Sequence, residues 1–443
     1  MNVNYPITWT VVLDVQRRDV VVWLLLGLGG LATTWLVVRS GAPLGTASAP
    51  FLGRYRLALG PATLLAPAVA AGVLTAAVRG WFERARWWLV LLAGYAAMLG
   101  WAVALAVVDG PDGLRRALLA DDSYLSDVTD VGHDPLGYLA AFTDRAAEHS
   151  DATRGHPPGP VLALWAAHRI GLADPLALGV LVTAVGALTV PLVLTSMRGV
   201  CGEPAARRYL PVLALAPYAV WLAVSMDAVV AALGAGMVAA GVRASAPGRT
   251  GWSAGLWATA SGVLLGLAAM FSYAAPWLGL SVVCLYFARR RPFLNAATGL
   301  GALLPVLAAD LAGFGWVDGL LGAQADFATR IGPYRSHLWW SALSLVVLLL
   351  AAGPPLVASL RKLRNTPGWP FLVGAGAAVV FSLAAGFARG GVEHAWLAFF
   401  PWLTVAAVAP ERQGGPLPRT PVALVAVGAA TAVVIEAVLA TLW

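Results

Sequence analysis

Apolar residues arrive in runs of about twenty, and the runs repeat along the whole 443-residue chain. A helix rises about 1.5 Å per residue, so such a run matches the roughly 30 Å of hydrocarbon in a bilayer. Hydrocarbon offers no water to an unpaired amide, so each run must satisfy its own backbone, which a helix does. Thirteen runs qualify: 20–38, 57–78, 87–108, 174–195, 209–222, 225–242, 252–270, 273–288, 292–313, 337–359, 369–388, 393–409 and 420–442. The stretch 209–242 is read either as a helix pair with a tight turn at Ser225 or as one long broken helix. Hydrophobic residues make up 59% of the chain and charged ones 12%, more apolar surface than a water-soluble fold can hide. The reading is an all-α, polytopic transmembrane protein.

Charge orients the helices. With a cytoplasmic N-terminus and alternating runs, eighteen of the 29 Lys and Arg residues fall on cytoplasmic segments. They are densest at Arg79 to Arg86, Arg289 to Arg291 and Arg361 to Arg364, the bias expected of the inner side. The pattern holds only if the short segment 160–171 does not cross but lies on the outer surface. Arg17 and Arg18 precede a run too long for a cleaved leader, which reads as a retained first helix. The basic balance does not point to nucleic acid, because the arginines are spread over many loops. Cys201 and Cys284 form neither a disulfide framework nor a metal motif.

One outer loop runs against the basic trend. Residues 109–158 hold ten Asp or Glu against four Arg, whereas the whole chain is +7. Asp134-Pro135 reads as an N-cap followed by proline at the first helical position. Pro157 and Pro158 force an extended entry into a second short helix, Val161 to Ile170, ended by Gly171. A loop this long on a membrane protein is where water-exposed chemistry can sit.

The order of these features resembles the glycosyltransferase C superfamily, in particular bacterial transferases of the aminoarabinose transferase and protein O-mannosyltransferase type. The acidic pair and the tyrosine that follows are Asp121-Asp122-Ser123-Tyr124. The surface-helix motif corresponds to His156-Pro157-Pro158-Gly159, with His in place of the usual Lys. Ser225-Met226-Asp227-Ala228 is similar to an acid at the outer start of a later helix. Gly390 to Leu397, with Glu393 and His394, followed by Pro401-Trp402-Leu403, is similar to a late motif of the group. The resemblance covers residues 87–410, with 1–86 as a two-helix addition and 411–443 as a C-terminal transmembrane helix.

It implies transfer of a sugar from a polyprenyl-phosphate carrier to an acceptor hydroxyl on a glycan, lipid or protein. The transfer inverts, at the outer face of a bacterial-type cytoplasmic membrane. Such a reaction needs a carboxylate to take the hydroxyl proton and cations to balance the departing lipid phosphate. Asp121 or Asp122 is the expected base, with Asp127 a rival. Tyr124, His156, Asp227, Arg330, Tyr334, Arg335, His337, Arg389, Glu393 and His394 are the expected substrate-binding residues. Trp339 and Trp340 could line a sugar site. The acidic loop could recruit a divalent cation through Asp121 and Asp122, though no spacing marks a metal site and no phosphate-cradling glycine loop appears.

Plainer roles compete. The acidic pair could be solvated charge, Asp227 a helix cap, and Arg389 with Glu393 an interfacial ion pair. Two other functions remain open: a transporter or flippase of lipid-linked sugars, and a non-catalytic scaffold for envelope assembly. Internal repeats, which would favour a transporter, are absent from the sequence.

Overall fold

The computed structural model describes residues 9–440, so the end of the expected run 420–442 lies outside the described residues. The architecture is a bundle of helices. Among the described residues seven helices are long and apolar enough to cross a bilayer. They are Val15–Arg39, Pro61–Val78, Trp87–Ala106, Pro175–Cys201, Met226–Ala244, Gly251–Ala269 and Leu294–Leu311. The pair Trp316–Tyr334 and His337–Ala352, bent by 95°, adds an eighth if taken as one span. Ala275–Ala288, Trp369–Ala384 and Val422–Val438 are shorter apolar helices. Leu25, Leu28, Trp35 and Leu36 on the first helix are exposed, as a lipid-facing surface requires. The protein is an integral membrane protein.

The expected count of thirteen is not reached by length and composition, and for two of the runs the cause is chemical. The run 209–222 is divided into a helix Glu203–Ala214 and a tight turn Pro217–Trp221. Pro217 lacks the amide that would continue the ladder. The run 393–409 is divided into Val392–Ala395, Phe400–Leu403 and Val405–Val408, around Pro401. Phe399, Phe400, Trp402 and Val405 are nevertheless fully buried, so this irregular backbone is enclosed by protein and not by lipid.

Local turn chemistry behaves as the residues suggest. Ser225 opens Met226–Ala244, its hydroxyl accepting from the Asp227 amide at 3.2 Å. Asp134 caps Pro135–Ala141 by accepting from the Gly137 amide at 2.8 Å. The surface helix spans Gly159–Arg169, and its eleven residues are too few to cross. A two-residue strand pair, Arg54–Tyr55 with Leu439–Ala440, departs from the all-α expectation and ties the loop after the first helix to the far end of the chain.

Small residues set the closest helix contact. A Cβ at Gly262 would lie 2.0 Å from the Thr298 carbonyl oxygen, and one at Gly266 would lie 2.3 Å from that of Ala302. Only glycine lets Gly251–Ala269 and Leu294–Leu311 approach so nearly, with dispersion and not water driving the association.

The two ends of the bundle differ. At one end the arginine-bearing turns bind one another: Arg289 donates to the Val242 carbonyl at 2.9 Å and Asn365 to the Pro410 carbonyl at 3.2 Å. At the other end lies the acidic loop.

Candidate functional site

The acidic loop is folded on itself. The Ala152 amide donates to the Asp122 carbonyl at 3.3 Å, which lays the acidic pair along the strand of chain leading to the prolines. The Gly159 amide then donates to the Met270 carbonyl at 2.9 Å. A Cβ at Gly159 would sit 2.2 Å from that same oxygen, so the Pro-Pro-Gly entry is clamped to the turn after Gly251–Ala269.

Four of the expected residues meet here from three distant parts of the sequence. The Tyr124 and His156 rings pack edge to face with centroids 5.6 Å apart. The Asp227 carboxylate lies 4.0 Å from His394 Nδ1, an ion-pair distance and not a direct hydrogen bond. His156 is the titratable neighbour of both Asp227 and His394. Burial, and behind it the Asp227 charge, hold the Tyr124 phenol well above its ordinary range, so it stays a donor at neutral pH. His156 Nδ1 donates to the Ala152 carbonyl at 2.8 Å, because a carbonyl can only accept. That leaves Nε2 as the ring's acceptor when the imidazole is neutral.

Asp227 is not a cap. Ser225 does that work, and the Asp227 side chain, only 18% exposed, turns toward His394. It sits in the first helical turn, where the helix dipole favours a carboxylate. Asp121 and Asp122 are exposed, and their carboxylates have no partner among the described residues. Asp127 differs from them. It is 5% exposed, and its oxygens accept from the Ser150 amide at 3.0 Å and the Ser150 hydroxyl at 2.9 Å. That carboxylate holds the loop together.

The expected cations divide in the same way. Arg330 donates to Asp151 at 2.9 Å and to Asp326 at 3.0 Å, so two carboxylates already balance it. Through Asp151 it reaches the segment against which Asp122 lies, so both stand at one end of the molecule. Arg389 donates to the Gly332 carbonyl at 3.3 Å, lies over the Phe327 ring at 5.8 Å, and keeps a buried Nε with no hydrogen-bond partner among the described residues. Arg335 donates to the Arg389 carbonyl at 2.9 Å. His337 Nε2 donates to the Leu383 carbonyl at 2.8 Å, and Tyr334 is exposed.

Glu393 is 1% exposed. One oxygen accepts from the Leu52 amide at 3.2 Å and the other has no hydrogen-bond partner among the described residues. Its charged neighbour is Arg335, so the plain Arg389–Glu393 pair is not what forms. Trp340 is fully buried, its Nε1 donating to the Leu44 carbonyl at 3.1 Å, and is unavailable to a sugar, whereas Trp339 is 37% exposed.

Sequence reasoning missed Asp151 and Leu52. Asp151 follows Ser150, whose hydroxyl accepts from the Thr153 amide at 3.3 Å, a short cap motif readable in advance. The Leu52 amide carries no such signal. Glu436, buried in the last described helix, has Arg56 and Arg116 as its charged neighbours. Among the described residues no group of three or more His, Cys, Asp or Glu is arranged to hold a metal ion, and a divalent cation at Asp121 and Asp122 would find two exposed carboxylates.

Fold and site together define a helical integral membrane protein with a half-buried Tyr-His-Asp-His cluster at one end. Solved structures of ArnT from Cupriavidus metallidurans are similar to it, in the apo state at 17% identity and bound to undecaprenyl phosphate at 16%. They cover 62% and 61% of this chain, with a TM-score of 0.42 in both. The chain spans about half, 54%, of the length of those proteins. No family model and no curated protein matches the sequence.

Proposed function

We propose that the protein is a membrane glycosyltransferase working at its acidic-loop end, with that end outside the cytoplasmic membrane and the N-terminus inside. The donor is a sugar carried on a polyprenyl phosphate. The acceptor oxygen attacks the anomeric carbon, the bond from that carbon to phosphate oxygen breaks with inversion, and the phosphate leaves with the electron pair. The acceptor proton passes to a carboxylate.

Asp122 is the base of this proposal, with Asp121 beside it. Its carboxylate has no other partner, and its backbone is fixed to Ala152, whose carbonyl also fixes His156. Asp227 and His394 form the floor, where negative charge stabilises the oxocarbenium-like transition state. Tyr124 donates to a sugar oxygen. Arg389, with Arg335 and His337 nearby, balances the departing phosphate, and the unspent Arg389 Nε marks the position for it.

The observation that carries this reading is the convergence of Tyr124, His156, Asp227 and His394, with the exposed acidic pair two and three residues before Tyr124. The test is transfer of a radiolabelled sugar from a polyprenyl-phosphate donor by protein purified in detergent. Wild type should form glycosylated acceptor without a sealed membrane, and Asp122→Asn should lose at least about a hundredfold in turnover. Full turnover in the Asp121→Asn, Asp122→Asn double variant would remove the acidic pair from the chemistry. Activity that needs sealed vesicles would point to transport.

A further inference from the structure

At the end opposite the acidic loop a cavity of about 420 Å³ opens between the start of the first helix, residues 358–362 and residues 407–424. Its charged lining is unequal. Arg361, Lys362 and Arg412 face Asp19 and Glu411, three cations to two anions, and Arg419, also on the lining, has an interaction of its own. Arg361 is spent, donating to Asp19 at 3.0 and 2.8 Å and also to Glu411. Lys362 is not. Its side chain is 4% exposed, and its ammonium has three donors. One goes to the Ala407 carbonyl, and Glu411 stands off at 3.8 Å. Burial pushes Lys362 down to about 8, against the opposing pull of the Glu411 charge.

The remaining wall is apolar: Val15, Ala358, Ala407, Leu417 and Leu424, with prolines at 416, 418 and 421. A site that offers surplus positive charge beside an apolar wall, at the end of a membrane bundle, suits an anion attached to an apolar body. Phosphate matches the donors, since it accepts several hydrogen bonds at once. Basic pockets between membrane helices recognise lipid headgroups by this chemistry.

We propose that this cavity binds a phosphate group, with Lys362 donating to it from the buried side and Arg412 from the exposed rim. The site is separate from the acidic-loop end and independent of the reaction proposed there. The phosphate could come from an anionic lipid of the adjoining leaflet or from a soluble phosphate.

The full-length protein would be placed in phosphatidylcholine nanodiscs, and its thermal midpoint followed as phosphatidylglycerol is added, or as inorganic phosphate is added alone. Wild type should be stabilised, and Lys362→Met should weaken the apparent affinity at least about fivefold. Should Lys362→Met fail to fold, Arg412→Gln, at an exposed position, gives the same comparison. Stabilisation by phosphatidylglycerol but not by inorganic phosphate assigns the site to a lipid headgroup. Stabilisation by inorganic phosphate with the same dependence assigns it to a soluble phosphate. No stabilisation by either, or equal stabilisation of wild type, Lys362→Met and Arg412→Gln, overturns the proposal.

Discussion

The two ends of this bundle are both polar, and they use their polar groups in opposite ways. At the basic end most cations are spent on the protein itself. Arg289 donates to the Val242 carbonyl at 2.9 Å and to the Ser245 hydroxyl at 3.0 Å, and it also binds the Gly199 carbonyl. Those carbonyls lie in the last turns of Met226–Ala244 and Thr189–Cys201, where a helix leaves its acceptors unpaired and its dipole negative. Arg207 likewise reaches the Phe82 carbonyl and, at 2.8 Å, that of Ala85. These arginines staple helix ends together. At the acidic-loop end Asp121 and Asp122 have no partner among the described residues, Arg389 keeps an unused Nε, and Glu393 an unused oxygen. An unsatisfied buried group such as the Arg389 Nε or the Glu393 oxygen costs about 1–3 kcal/mol, whereas the exposed Asp121 and Asp122 carry no such cost. The contrast teaches that charge density by itself does not mark a candidate site, since a charged side chain can be spent on the protein at one end and left exposed at the other.

The contrast can be broken by substitution. Asp122→Asn should remove at least about a hundredfold of transfer activity while leaving the thermal midpoint unchanged, since its side chain holds nothing in place. Calorimetry beside the transfer assay checks both halves. Arg389→Gln should raise the KM for the polyprenyl donor about tenfold with a smaller effect on kcat; equal loss in both would place it in the chemical step. Asp127→Asn should act the other way from Asp122→Asn. It weakens the ties to Ser150 and should destabilise by about 1–3 kcal/mol in a denaturant titration, with activity retained in the folded fraction. Arg289→Gln at the stapled end should cost about 1.5–3 kcal/mol through its lost charged hydrogen bonds, again sparing activity. The smallest effect belongs to Asp151→Asn. Its pair with Arg330 is half exposed and Arg330 keeps Asp326, so the change should stay below about 1 kcal/mol and shrink further in high salt.

The candidate site was partly legible beforehand. Tyr124, His156, Asp227 and His394 were each marked by position, at the edge of an apolar run or beside prolines. What could not be read was their meeting, because residues 124 and 394 are joined by nothing in the local pattern. The same limit applied to Asp122 and Asp127. Both are loop aspartates near one tyrosine, and only the fold brings Ser150 to one and leaves the other exposed. Arg330 and Arg389 were equals on paper until Asp151 and Asp326 claimed the first.

From its sequence by itself this chain is determined to be a helical membrane protein with a capped, proline-entered surface segment. Hydrophobic runs, caps and prolines act over a few residues, so their consequences can be read in order along the chain. Tertiary structure alone decided which runs become unbroken helices, which polar groups find partners and which are left without one. Those outcomes depend on a contest among distant donors and acceptors for a limited set of neighbours, and packing settles that contest only when every helix is in place.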